Sequence, residues 1–164
     1  MARRSALARE IQQGRPFSSP RHEAALGLLK TVDVLRGQLS RVLEPYGVTD
    51  QQYNVLRILR GAGAAGLPTL AVRDRLLEEA PGITRLLDKL ERSGLVRRSR
   101  STPDRRQVVC HATPSGLALL KRLDPLIGAA DEAGAAGLRV SEQRALIQLL
   151  DRVRDRMREA SRGQ

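Results

Sequence analysis

A lone cysteine, Cys110, leaves the chain without any internal disulfide, which sets it apart from the covalently stapled domains of secreted proteins and points to a reducing cytoplasm. Tryptophan is absent and the other large aromatics are Phe17, Tyr46 and Tyr53, so Leu, Val, Ile and Ala have to fill the core. The two histidines, His22 and His111, lie far apart and neither stands in a His/Cys/Glu set with ligand spacing; no metal and no cofactor is expected. No apolar run approaches the roughly 18 residues of a membrane-spanning helix, and no continuous apolar segment follows Arg3 and Arg4 as it would in a secretory leader. A soluble chain with no membrane partner is the expectation. Nor can a serine, a histidine and a carboxylate be singled out as a nucleophilic set, so the sequence reads as a binding protein and not an enzyme.

Acidic residues are also in short supply, 18 against 29 Lys and Arg, giving a formal net charge of +11. Such an excess favours a polyanionic partner where it is clustered. Among the basic residues only Lys30, Lys89 and Lys121 are lysines. A genome-wide bias toward arginine would produce the same total, so position has to decide. Residues 81–106 hold Arg85, Lys89, Arg92, Arg97, Arg98, Arg100, Arg105 and Arg106 against Asp88, Glu91 and Asp104, a net of +5. Residues 1–21 carry a net of +4, and the other 117 residues only +2.

At 164 residues one folding unit is expected. Residues 1–21 start with a short helical stretch, Ala6 to Gln13, broken by Gly14, Pro16, Ser18, Ser19 and Pro20; they read as an arm or extra helix, ordered by a partner subunit. From His22 to Glu44 apolar residues recur at Ala25, Leu28, Val32, Leu35, Leu39 and Val42, the three-four spacing of a long helix with an apolar seam. Pro45 and Gly47 end it. Thr49-Asp50-Gln51-Gln52 has the pattern of a capping box opening a helix with Tyr53, Val55, Leu56, Ile58 and Leu59 on its apolar face, ending near Gly61. A short helix over Thr69–Leu77, a tight break at Pro81-Gly82 and a third helix over Ile83–Arg92, with Ile83, Leu86, Leu87 and Leu90 inward, together suggest a helix-turn-helix. Gly94 closes the last of these. Residues 95–100 and 107–112 then read as two strands joined by a turn-forming, basic tip. Thr113-Pro114 supplies an N-cap and a first-turn proline for a helix with Leu117, Leu120, Leu123 and Ile127 on one side; Gly128–Gly137 reads as a hinge. Ser141 is expected to cap a last helix with a seam of Leu146, Leu149, Val153 and Met157.

Two motifs compete with this reading. Gly61-Ala62-Gly63-Ala64-Ala65-Gly66 matches the glycine spacing of a dinucleotide-binding loop, but that loop needs a strand before it and a helix after it; here a capped helix precedes and Pro68 follows. Helix stop and loop is the better reading. Cys110 falls in the second hairpin strand with no resolving cysteine and no electropositive helix end nearby, so strand packing is preferred to redox sensing. The central basic cluster, by contrast, coincides with a helix behind a tight turn and with a hairpin tip. Those two elements fit a major groove and the adjacent minor groove of DNA.

The stretch Gly82-Ile83-Thr84-Arg85-Leu86-Leu87-Asp88-Lys89-Leu90-Glu91-Arg92-Ser93-Gly94-Leu95-Val96, followed by Asp104-Arg105-Arg106 and by Thr113-Pro114-Ser115-Gly116, resembles the MarR (multiple antibiotic resistance regulator) family over residues 22–160. The resemblance implies a mainly α fold with a small β-hairpin wing: a winged helix-turn-helix lobe over 49–113, and a dimerisation lobe from helices in 22–48 and 114–160. It implies a cytoplasmic, nucleoid-associated homodimer that binds an inverted-repeat operator in double-stranded DNA, acts as a repressor, and is released by a small organic effector. By motif position Thr84, Arg85 and Lys89 would face bases or phosphates, Arg106 would enter the minor groove, Asp104 would orient it and Arg105 would lie nearby. Arg98 and Arg100, basic residues of the first hairpin strand, complete the expected DNA-binding set. Asp33, Arg36, Tyr53 and Arg57, at the junction of the first two long helices, are the expected polar lining of an effector cleft. Family members that sense thiol oxidation carry the cysteine near the first helix, unlike Cys110. A non-sequence-specific, nucleoid-type nucleic-acid-binding protein is the alternative.

Overall fold

The computed structural model describes residues 5–78, 81–100 and 107–163. Its contacts divide the chain into two compact units, residues 1–124 and 125–164, with the boundary inside a helix.

In the first unit the arm forms a five-residue helix, α1 (Ala6–Glu10), started by the Ser5 hydroxyl, which accepts from the Ala8 N–H at 3.2 Å. The long helix α2 (Pro20–Leu43) begins earlier than its apolar seam does, because Ser19 accepts from the His22 N–H and Pro20 takes the first position, where a missing N–H costs nothing. The arm is ordered within its own chain. Ala8 is buried, Leu7 lies 3.7 Å from where a Cβ on Gly27 would stand, and Lys30 Nζ is 3.8 Å from Glu10. The capping box forms as expected at the start of α3 (Asp50–Ala62): Thr49 Oγ1 accepts from the Gln52 N–H at 3.3 Å, and Gln52 Oε1 accepts from the Thr49 N–H at 2.9 Å.

After α3 the glycine-rich stretch makes one tight helical turn and enters a two-residue strand, β1 (Leu67–Pro68), where the sequence pattern indicated only loop. Gly66 makes this entry possible. Its φ is +64°, and a Cβ there would stand 2.5 Å from the Cys110 carbonyl oxygen. Helix α4 (Thr69–Arg73) is shorter than its apolar pattern, since the Arg75 and Leu76 N–H groups bond only three residues back and tighten the chain into turns. Helix α5 (Ile83–Arg92) ends in a Schellman motif: Leu95 N–H bonds to Leu90 O and Gly94 N–H to Glu91 O, with Gly94 at φ +69°. Strands β2 (Val96–Arg100) and β3 (Val108–Ala112) pair antiparallel, Arg98 opposite Cys110, and β1 adds to the other side of β3 with Leu67 opposite Cys110. The sheet order is β1-β3-β2, so β2 is an edge.

Helix α6 (Pro114–Ala135) starts as expected, with Thr113 Oγ1 accepting from the Gly116 N–H at 3.1 Å while donating to the Gly94 carbonyl at 2.6 Å. Gly116 permits close approach: a Cβ there would fall 2.3 Å from the Leu95 oxygen. Leu43, Val55, Leu56, Leu59, Val72, Leu87, Leu90, Val96, Cys110, Leu120 and Leu123 are fully buried, so the core of this unit is aliphatic, as the scarcity of aromatics required.

In the second unit α6 continues through Gly128 and Gly134, which were expected to form a hinge; Ala129, Ala130, Ala133 and Ala135 are strong helix formers and carry it to Ala135. The break is confined to residues 136–139. Helix α7 (Val140–Arg162) is capped at Arg139, not Ser141: Glu142 reaches back to accept from the Arg139 N–H at 2.8 Å, and its carboxyl is held below the usual range by the Arg139 guanidinium. No residue of α7 is buried, and Leu146, Ile147, Leu149, Val153 and Met157 are all exposed. Among the described residues no helix is long and apolar enough to cross a membrane.

Candidate nucleic-acid interface

On α5 the two faces separate by burial. Ile83, Leu87 and Leu90 are buried, whereas Thr84, Arg85, Lys89 and Arg92 are exposed on one face. Leu86, expected inward, is only partly covered. Neither Arg85 nor Lys89 is in an ion pair with another described residue, so both charges are available to a ligand. The helix follows α4 across a turn, β1 precedes that pair of helices and β2 and β3 follow it in one three-stranded sheet, which is a winged helix-turn-helix.

The basic residues of β2 divide in a way that their sequence does not reveal. Arg97 and Arg100 are exposed, while Arg98 turns inward with its side chain 25% exposed. Arg98 Nε donates to Glu91 Oε2 at 2.8 Å, its terminal nitrogen reaches Glu91 and Asp88 at 2.6 Å each, and its backbone N–H donates to Glu91 Oε1 at 3.0 Å. That geometry holds the Glu91 carboxyl below the usual carboxylate range, chiefly through the side-chain hydrogen bonds. Sequence reasoning placed Arg98 with the DNA contacts, left Arg97 unassigned and gave no role to Glu91. The separation of seven residues between Glu91 and Arg98 becomes a contact only through the Gly94 turn, which no periodicity signals. The wing tip residues Asp104, Arg105 and Arg106 lie outside the described residues.

Of the four residues expected around an effector cleft, Asp33 accepts from Lys30 at 3.1 Å on its own helix, and Arg36 pairs with Glu78. Tyr53 is 5% exposed, with the Arg57 guanidinium 5.8 Å from its ring centre. Asp33, Arg36 and Arg57 are exposed. Cys110 is fully buried at the centre of the sheet; burial pushes its thiol up, although the Thr69 hydroxyl at 3.7 Å and the Arg98 charge act the other way. No group of three metal-ligating side chains is present among the described residues.

Residues 48–108 match the MarR family model. A solved MarR transcription factor from Planctomyces limnophilus is 38% identical, superposes with a TM-score of 0.64, and is matched over 83% of this chain and 98% of its own. The chain belongs to the MarR family. As a MarR-family protein it is a winged helix-turn-helix transcription regulator. Curated relatives agree: the HTH-type transcriptional repressor Rv2887 of Mycobacterium tuberculosis is 31% identical over 133 residues, 80% of this chain and 94% of that protein. The HTH-type transcriptional regulator TtmR of Methylorubrum extorquens is 35% identical over 116 residues, 71% of this chain, and the match spans 57% of TtmR.

Proposed function

We propose that this MarR-family regulator is a homodimeric repressor that reads an inverted-repeat operator, with α5 in the major groove and the wing in the minor groove. The observation that carries the reading is the exposed Thr84, Arg85 and Lys89 face of α5, backed by a buried Ile83, Leu87 and Leu90 face that fixes its orientation. A guanidinium on such a face can make paired hydrogen bonds to a guanine edge. Arg106 at the wing senses instead the width and potential of the minor groove, which favours A·T-rich flanks. The repressor assignment follows the naming of Rv2887.

The test is selection of bound sequences from a random DNA pool, followed by binding of Arg85→Ala and Arg106→Ala to a panel of operator variants. Arg85→Ala is expected to relax one position per half-site, at about 1–3 kcal/mol. Arg106→Ala is expected to weaken binding and flatten the flank preference. Equal retention of all DNA by the unmodified chain would establish the non-specific, nucleoid-type alternative. Release by an organic effector near Asp33, Arg36, Tyr53 and Arg57 completes the proposal, and such an effector must bind the free dimer more tightly than the DNA-bound one. Calorimetry with aromatic acids, with and without operator, measures that difference.

A further inference from the structure

We infer that Arg98 is a positioning residue, not a DNA contact: with Glu91 and Asp88 it locks the wing strand β2 to the recognition helix α5 and fixes the spacing between the two DNA-reading elements. The inference rests on the DNA-binding reading for its purpose, but not for its geometry. Arg98 is drawn inward between two carboxylates, whereas its neighbours Arg97 and Arg100 are exposed. The Glu91 carboxylate is used twice. One oxygen accepts the Arg98 backbone N–H, which as part of an edge strand would otherwise face solvent unpaired, and the other accepts two guanidinium nitrogens. Both carboxylates come from the last two turns of α5, so the strand is tied to the same helix that carries Arg85 and Lys89. A guanidinium bound by two carboxylates has little charge left for phosphate, and its planar fork suits this bidentate role better than a lysine would.

The sign of one substitution separates this from a contact role. Glu91→Ala removes a negative charge from a basic surface, so simple electrostatics predicts tighter DNA binding; loss of the lock predicts weaker binding. Using the full chain and its selected operator across a salt series, Glu91→Ala is expected to weaken binding about tenfold, to blur the flanking preference read by the wing, and to leave the salt slope unchanged. Arg100→Ala should instead lower the slope by about 0.9, the value for one phosphate. Arg98→Lys, which keeps the charge but not the planar fork, should blur the flank preference much as Glu91→Ala does. Tighter binding by Glu91→Ala, or an affinity within twofold of the unmodified chain, overturns the inference. A second measurement needs no DNA: hydrogen exchange at the Arg98 amide should accelerate at least tenfold in Glu91→Ala and stay unchanged in Arg100→Ala, and unchanged exchange in both overturns the lock. If the unmodified chain selects no DNA sequence, the operator reading fails, while the exchange measurement still decides the lock.

Discussion

The Glu91 carboxylate accepts three hydrogen bonds from one residue, Arg98, and that concentration of donors lowers its affinity for a proton. A carboxyl with a depressed folded pKa contributes stability that is present above its unfolded value and is lost as the pH falls through the folded one. Glu91→Gln should therefore lower the melting temperature at pH 7, and the gap to the unmodified protein should close as the pH drops below about 4. Because the pair is partly open to water, the gap should be small and should shrink with added salt. Thermal melts from pH 3 to 7 check this, and a gap that stays constant with pH would remove the ionic basis of the lock.

Thr113 is where three elements meet. Its hydroxyl donates to Gly94, past the end of α5, and accepts from Gly116 at the start of α6, and its N–H donates to Leu95 O. Thr113→Val keeps the shape and removes both hydroxyl bonds; the expected cost is about 1–2 kcal/mol by denaturant unfolding. A cost below about 0.3 kcal/mol would mean that the cap is replaced by water. This cap, the capping box at Thr49 and the glycine stop at Gly94 were legible in sequence because their chemistry is local. The same holds for α5, whose inward and outward residues follow one period. Strand β1 was not legible, since a two-residue strand has no periodicity and exists only because β3 offers it a partner. The inward turn of Arg98 escaped for a related reason: Arg97, Arg98 and Arg100 are alike as letters, and only the pairing with β3 and the nearness of α5 separate them. The extension of α6 past Gly128 shows the reverse case, in which local alanine propensity outweighed the glycines.

At the scale of the whole molecule, α2 exposes Val32 and Leu35 of its three-four seam, and α7 exposes Leu146, Leu149, Val153 and Met157 of its own. Apolar surface arranged in helical seams is what a second copy would cover. Replacing Leu149 and Val153 with glutamate is expected to give a monomer by light scattering at micromolar concentration, with operator affinity reduced at least a hundredfold through loss of the second half-site. A stable monomer from the unmodified chain would overturn the dimer. The fully buried Cys110 adds a different kind of handle. Its sulfur can meet a reagent only when the winged sheet opens, so the labelling rate in native buffer is a clock for that opening. Labelling by an aromatic disulfide should run about 10³-fold or more slower than in denaturant, the ratio giving the opening equilibrium directly. Operator DNA that grips both helix and wing should slow the clock further, turning a single sulfur atom into a gauge of how firmly the bound protein is held shut.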